Sequence, residues 1–200
     1  MWHSGKLTDD QALLVESLLS SPSLVKDHSW GLVDTVVLHV ASDGGDAIVK
    51  AGCTSNHHLE REISAHEGYT APLLAVGGAA RLIGASRDAN VLVTEYLPGH
   101  LVEGAAAEFE PDTYVQAGRL LRRFHDQAAS SDSDFERAMT EGILAWLDTD
   151  HRIAPAAERA ARRILTDYRP EPVTVVPTHG DWQPRNWLVH DGTVTVIDYG

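Results

Sequence analysis

Near the N-terminus the apolar positions recur at helical spacing. Leu14, Leu18 and Leu19 share a face, Thr8 and Gln11 stand in the T-x-x-Q order of a capping box, and Ser20-Ser21-Pro22 stops the run. The period then changes. Residues 34–41 (DTVVLHVA) and 46–51 (DAIVKA) read as strands, and Ser42-Asp43-Gly44-Gly45 between them is a strong hairpin signal. Helical spacing returns over 54–69, and 81–85 and 90–96 predict two more short strands around a polar turn at Arg87 and Asp88. Leu97-Pro98-Gly99 breaks the pattern. Beyond it Tyr114, Gly118, Leu121, His125 and Ala128 recur every three to four residues, which predicts an amphipathic helix on that stripe. Residues 127–134 are polar and Ser-rich, as in a loop, and 139–147 and 156–168 predict two further helices, the second stopped by Pro170 and Pro172. A short strand over 173–176 precedes a hairpin of 187–190 and 193–197 around Asp191-Gly192.

Strands thus fill the first half and helices the second. That order predicts an α+β fold with an antiparallel sheet lobe over residues 1–97 and a mainly helical lobe over 98–200, not an alternating parallel sheet. A hydrophobic content of 43% and a charged content of 22% are those of an ordinary globular protein. No stretch reaches the ~18 apolar residues of a membrane span, so no membrane partner is expected. With Cys53 the single cysteine there is no intrachain disulfide, and a cytoplasmic protein is the default. The net charge of −13 argues against nucleic acid as a partner; it suits a cationic small molecule, or solubility alone. The eleven histidines show no zinc spacing. Nothing in the pattern sets an oligomeric state.

The densest chemistry lies in residues 178–200, THGDWQPRNWLVHDGTVTVIDYG. His179-Gly180-Asp181, then Asn186, form H-G-D-x-x-x-x-N, a pattern met by chance in about one chain in a thousand of this size. A two-residue turn at Asp191-Gly192 pairs His190 with Thr193, and the same register sets Asn186 opposite Ile197, one step from Asp198. Strict alternation would point Asn186 and Asp198 to opposite faces, but both stand at strand ends where alternation breaks easily. Two oxygen-bearing side chains held together suit Mg²⁺, and Asp181 just before them is placed to accept a hydroxyl proton.

A phosphoryl-transfer site also needs a lysine on a central strand paired with a glutamate on a helix. Lys50 ends the apolar run Ala47-Ile48-Val49. On the following helix Leu59, Glu62, Ile63 and His66 share one face, and Glu60, Ser64 and Glu67 another. The apolar face packs on the sheet, so Glu62 rather than Glu60 points toward Lys50.

H-G-D-x-x-x-x-N followed by I-D resembles the signature of the aminoglycoside phosphotransferase and choline kinase family, which has a protein kinase-like fold. The resemblance covers about residues 26–200. It implies an ATP- and Mg²⁺-dependent kinase acting on a hydroxyl of a small molecule, aminoglycoside-like, choline-like or sugar-like. Asp181 would be the catalytic base, Asn186 and Asp198 the Mg²⁺ ligands, Lys50 and Glu62 the phosphate-holding pair, and His179 a brace. Val91 to Gly99 looks like the family's hinge, with Glu95, Tyr96 and Leu97 at the adenine. No Gly-rich phosphate loop is present, and Ser29-Trp30-Gly31 stands in its place, with Ser29 a candidate phosphate contact. Arg185 and Trp187 are unusual for the family and receive no role. Members continue past I-D with helices that line the acceptor pocket, whereas this sequence ends two residues after Asp198, so either a fragment or a C-terminally shortened member is expected, its remaining acceptor wall built from residues 101–133 and the helices after them. Two other readings stand: a nucleotide-binding module of the same fold without catalysis, and metal-dependent phosphoester hydrolysis through Asp181, His179 and Asp198.

Overall fold

A computed structural model describes residues 1–31, 34–53 and 57–199, with His57 described by its backbone alone. The first three positions of the helix expected over 54–69 lie outside the described residues. The chain packs as two compact units, Met1–Gln127 with Thr178–Gly200, and Ala128–Pro177.

The first unit opens with α1 (Asp9–Leu18), which starts where the capping box predicts: Thr8 Oγ1 accepts from Gln11 N, and Gln11 Oε1 accepts from Thr8 N. Then come β1 (Ser23–Asp27), β2 (Thr35–Ala41), β3 (Ala47–Gly52), α2 (His57–Gly68), α3 (Ala71–Leu74), β4 (Leu82–Ser86) and β5 (Val91–Glu95). The five strands form one antiparallel sheet in the order β1-β2-β3-β5-β4. β1 is not legible in the sequence. It lies at the sheet edge, bulges between Leu24 and Lys26, and buries only Leu24 in part, so it shows no alternation.

Alternation in the other strands gives the sheet two different faces. Leu38, Val40, Ala47, Val49, Ala51, Val91 and Val93 form a core with Leu7, Ala12, Val15 and Leu19. The register sets Val37, Lys50 and Leu92 side by side on the opposite face, next to His39, Ile48 and Thr94. There α2 lays Leu59 and Ile63 against Leu92, and this packing fixes the rotation of the helix.

The chain continues through β6 (His100–Leu101), a 3-10 turn (Ala106–Phe109) and α4 (Pro111–His125). The buried face of α4 is Thr113, Ala117, Leu120 and Phe124. This corrects the expected stripe: Tyr114 and Gly118 face solvent, and Leu121 and His125 are half-buried. The two stripes differ by one residue, about 100° of helix, and Phe124 and Leu120 carry more apolar surface than the small residues of the other.

The second unit comprises β7 (Ser130–Asp132), α5 (Phe135–Leu147), α6 (Pro155–Asp167) and β8 (Val173–Val175). β7 pairs with β8, and Arg162 of α6 reaches the Leu147 carbonyl at the end of α5, at 2.7 Å.

The chain returns to the first unit with β9 (Trp187–His190) and β10 (Thr193–Val196), which join β6 in the order β10-β9-β6. Val189, Val194 and Val196 of this sheet pack with Leu120 and Phe124 of α4, and Gln116 clamps the hairpin by donating to Gly192 O and accepting from Val194 N. Lys50, Glu62, Glu95, Tyr96, Leu97, Asp181, Asn186 and Asp198 all lie in the first unit, whereas the helices expected to complete the acceptor wall belong to the second.

Candidate active site

The turn between β9 and β10 has Asp191 at φ 47° and Gly192 at φ 74°, the left-handed pair of a type I′ turn. It pairs His190 with Thr193 and runs to Trp187 opposite Val196, and Ile197 N then donates to Asn186 O at 3.0 Å. Asn186 therefore stands opposite Ile197, as the turn register requires. Alternation breaks at both ends: Asn186 closes a 3-10 turn (Pro184–Asn186), and Asp198 takes a left-handed φ of 67°. A non-glycine residue at such an angle is strained, and strain of this kind gathers at functional sites.

Asn186 is 4% exposed. Its Nδ2 donates to Asp181 O at 2.9 Å and to Asp181 Oδ2 at 2.8 Å. Both partners are acceptors, so the amide nitrogen must face them and Oδ1 is left on the other side, available to a cation. His179 is buried; its Nε2–H donates to Ile197 O at 3.1 Å and its Nδ1 accepts from Asp181 N at 3.4 Å. Burial lowers its pKa, in keeping with the neutral ring that this bonding demands. Both ring nitrogens are engaged by backbone, so His179 braces the loop and has no lone pair for a metal. Among the described residues no group of three or more His, Cys, Asp and Glu can hold a metal ion, and phosphoester hydrolysis through three such ligands is left without support.

Across the sheet, Lys50 Nζ donates to Glu62 Oε1 and Oε2 at 2.7 and 2.8 Å and to Asp198 Oδ1 at 2.7 Å. Glu62 is 5% exposed on the buried face of α2 with Leu59, Ile63 and His66, whereas Glu60 is exposed. Burial of the ammonium works to lower the Lys50 pKa, but the charges of Glu62 and Asp198 outweigh it and the net direction is up. Asp198 is held below the usual carboxylate range, chiefly by Lys50. Among the described residues Asp198 Oδ2 has no hydrogen-bond partner, so Asp198 Oδ2 and Asn186 Oδ1 offer two hard oxygens of the kind Mg²⁺ takes alongside phosphates and water.

The segment after β5 is held from within. Glu95 N donates to Arg81 O and Tyr96 N to Asp46 O, and the Tyr96 ring stacks on His39 with centroids 4.0 Å apart and planes at 1°. His39 Nε2 in turn meets Asp46 Oδ2 at 2.6 Å. The Leu97 N–H makes no hydrogen bond among the described residues. Ser29 is less prepared for a phosphate than expected: its hydroxyl accepts from Val37 N, and its own N–H donates to the Asp27 carboxylate.

Asp181 carries the heaviest load of donors. Arg185 Nη2 and Nε reach Oδ2 at 2.8 and 3.3 Å, beside Asn186 Nδ2, and Gln183 Nε2 donates to Oδ1. These bonds, that of Arg185 first, hold the Asp181 pKa below its ordinary value.

Residues 28–200 match the phosphotransferase enzyme family. The chain belongs to that family. Solved structures agree on the fold. Macrolide 2′-phosphotransferase MphH from Brachybacterium faecium is 22% identical with a TM-score of 0.59, over 94% of this chain and 70% of that one. Aminoglycoside phosphotransferase APH(4)-Ia is 14% identical with a TM-score of 0.64, over 96% and 71%. A choline/ethanolamine kinase family protein from Mesorhizobium loti is 17% identical with a TM-score of 0.60, over 94% and 64%. A thermostable mutant of APH(4)-Ia has been solved as a ternary complex with ADP and hygromycin B. No curated protein sequence matches the chain. The fold is the α+β, protein kinase-like fold expected from the motif.

Sequence reasoning about this phosphotransferase missed three participants: Arg185, Gln183 and His39. Arg185 had a legible signal, a cation four residues after a candidate base on a Pro-started turn. Gln183 and His39 had none, because their partners are set by loop and sheet geometry.

Proposed function

We propose that this phosphotransferase moves the γ-phosphoryl group of ATP to a hydroxyl of a small molecule, aminoglycoside-like, choline-like or sugar-like. The observation that carries the reading is the convergence of Lys50 and Glu62 from the sheet lobe on Asp198, beside Asn186 and Asp181 at the end of the hairpin. The lobe boundary is drawn after Leu97, with residues 1–97 holding the nucleotide and 98–200 the chemistry. Leu97 N–H and the Glu95 carbonyl are offered to adenine across Tyr96. Lys50, oriented by Glu62, holds the phosphates. Asn186 and Asp198 hold Mg²⁺, which when bound neutralises charge on the β- and γ-phosphates. Asp181 orients the acceptor hydroxyl: as its oxygen bonds to the γ-phosphorus, the bond from that phosphorus to the β–γ bridging oxygen breaks, ADP leaves, and the hydroxyl proton passes to the Asp181 carboxylate and on to water. The complex of a structural neighbour with ADP and hygromycin B supports the nucleotide assignment. ATP and Mg²⁺ of the cytoplasm would supply such a site.

The test is a thermal melt of the full chain with and without Mg-ATP, joined to an ADP-release assay over a panel of alcohols. At ligand near 100 Kd, binding adds about 2.7 kcal/mol. The shift should need both Mg²⁺ and ATP, vanish in Asp198→Ala and persist in Asp181→Asn, which should release no ADP; a fully active Asp181→Asn sinks the assignment of the base. A second reading, a nucleotide-binding module without transfer, is favoured by the donors already seated on both Asp181 oxygens. It predicts the same melt and no ADP from any acceptor.

A further inference from the structure

We propose that Arg185 determines specificity, selecting an acceptor that carries an anionic group near its hydroxyl over one that carries a cation. The inference rests on the kinase reading above and names the acceptor class of that same site.

An ionised carboxylate has about four lone-pair positions. Around Asp181 these meet Arg185 Nη2, Arg185 Nε and Asn186 Nδ2 on Oδ2, and Gln183 Nε2 on Oδ1. Oδ2, with three donors for two lone pairs, is full, so an acceptor hydroxyl that bonds this oxygen must displace a donor. Asn186 is the wrong one to move, since it is buried and also holds the Asp181 carbonyl. Arg185 is the right one: its side chain is 44% exposed, on a long flexible stem. Separating an ion pair at that exposure is cheap, because water screens it and solvates both ends.

What the acceptor brings then decides the balance. A neutral alcohol leaves the guanidinium to water. A cationic acceptor sets a like charge within a few ångströms of it. An anionic acceptor re-pairs it, and the fork of a guanidinium suits carboxylate or phosphate in bidentate fashion. Glu103 and Asp198 also lie within electrostatic range of Arg185, but neither is ion-paired with it among the described residues, so an incoming anion meets a cation whose one ion-pair partner among them, Asp181, has been given up to the acceptor hydroxyl. The net charge of −13 points the other way, toward cations. Its field acts over the Debye length of ~8–10 Å and governs encounter, while a guanidinium in contact with the base governs the bound state.

The experiment uses three acceptors built on the same six-carbon polyol chain, with five or six hydroxyls: D-gluconate, D-glucitol and N-methyl-D-glucamine. Their binding to the Mg-ADP-loaded full chain is measured by calorimetry, and their turnover with Mg-ATP by ADP release. The wild type should favour gluconate over N-methylglucamine by about tenfold or more. Arg185→Gly should lose that preference by weakening gluconate and tightening N-methylglucamine while glucitol stays near the wild type, and Arg185→Glu should reverse it, both with melting temperatures near the wild type. A wild type that binds N-methylglucamine as well as gluconate, or binds neither while still binding Mg-ADP, overturns the proposal and leaves the kinase reading standing. An Arg185→Gly that weakens all three acceptors equally marks a structural brace and overturns it too. Failure to bind Mg-ADP overturns both.

Discussion

Lys50 Nζ lies 2.7 Å from Asp198 Oδ1 across 148 positions of sequence, and the same ammonium holds both oxygens of Glu62. One cation thus ties β3, α2 and the end of the last hairpin together. The two carboxylates differ in setting: Glu62 is buried, whereas the Asp198 side chain is 56% exposed. Lys50→Met should cost about 3–5 kcal/mol, because it strands a buried carboxylate. Glu62→Gln on that background should recover part of the loss, a coupling of about 1–3 kcal/mol in a double-mutant cycle by urea unfolding. Asp198→Asn should couple to Lys50→Met by less than about 1 kcal/mol, since water screens it. Equal coupling for the two pairs would mean that burial does not set their strength.

Acid should destabilise this protein through His66. The ring is buried on the sheet side of α2, its Nδ1 has no hydrogen-bond partner among the described residues, and it meets Tyr199 edge-on. Burial first, and Lys50 second, lowers its pKa from 6.5 to about 4. The folded state resists a proton that the unfolded chain accepts. The contribution is therefore complete above about pH 6.5 and is lost as pH falls to about 4, roughly 3 kcal/mol in all. Unfolding free energies measured from pH 7 to 4 should show this slope, and His66→Leu should flatten it. A variant with the wild-type slope would assign the acid limb to other groups, His179 among them.

Much of this geometry was legible because it follows from short-range rules. The Asp191-Gly192 turn dictates a register, and the register brings Asn186 to Ile197. The apolar face of α2 dictates that Glu62, not Glu60, meets Lys50. Three things were not legible. β1 is an edge strand with almost no buried side chain, so no periodicity marks it. On α4, two stripes one residue apart both looked apolar, and only the neighbours of Phe124 and Leu120 decide between them. The donors on Asp181 belong to a loop whose shape no spacing encodes.

Gly99 should resist substitution where Gly118 should not. Gly99 has φ 125°, and a Cβ there would lie 2.6 Å from the Val189 carbonyl oxygen, a backbone atom that cannot turn aside. Gly99→Ala should push the segment leading into β6 off β9 and cost about 2–4 kcal/mol. Gly118 sits on the solvent face of α4 with nothing within 4 Å of its Cβ position. Gly118→Ala should stabilise by about 0.5–1 kcal/mol, because alanine loses less backbone freedom in a helix. Melting temperatures should therefore move in opposite directions, by roughly 2–4 °C per kcal/mol.

Gln11 does more than close a capping box. Its Oε1 accepts from Thr8 N, while its Nε2 donates to Gly52 O at the end of β3 and to Ala89 O before β5, both at 3.0 Å. Gly52 and Gln11 are buried and Ala89 is half-buried. Thr8→Ala removes one cap bond and should cost about 1 kcal/mol. Gln11→Ala removes three bonds and leaves two carbonyls without that donor, so it should cost about 2–4 kcal/mol. The double variant should cost less than the sum, because the two residues share the box. If Gln11→Ala costs no more than Thr8→Ala in urea unfolding, the bonds to Gly52 and Ala89 contribute nothing, and α1 is held to the sheet by apolar packing, that of Ala12, Val15 and Leu18 included.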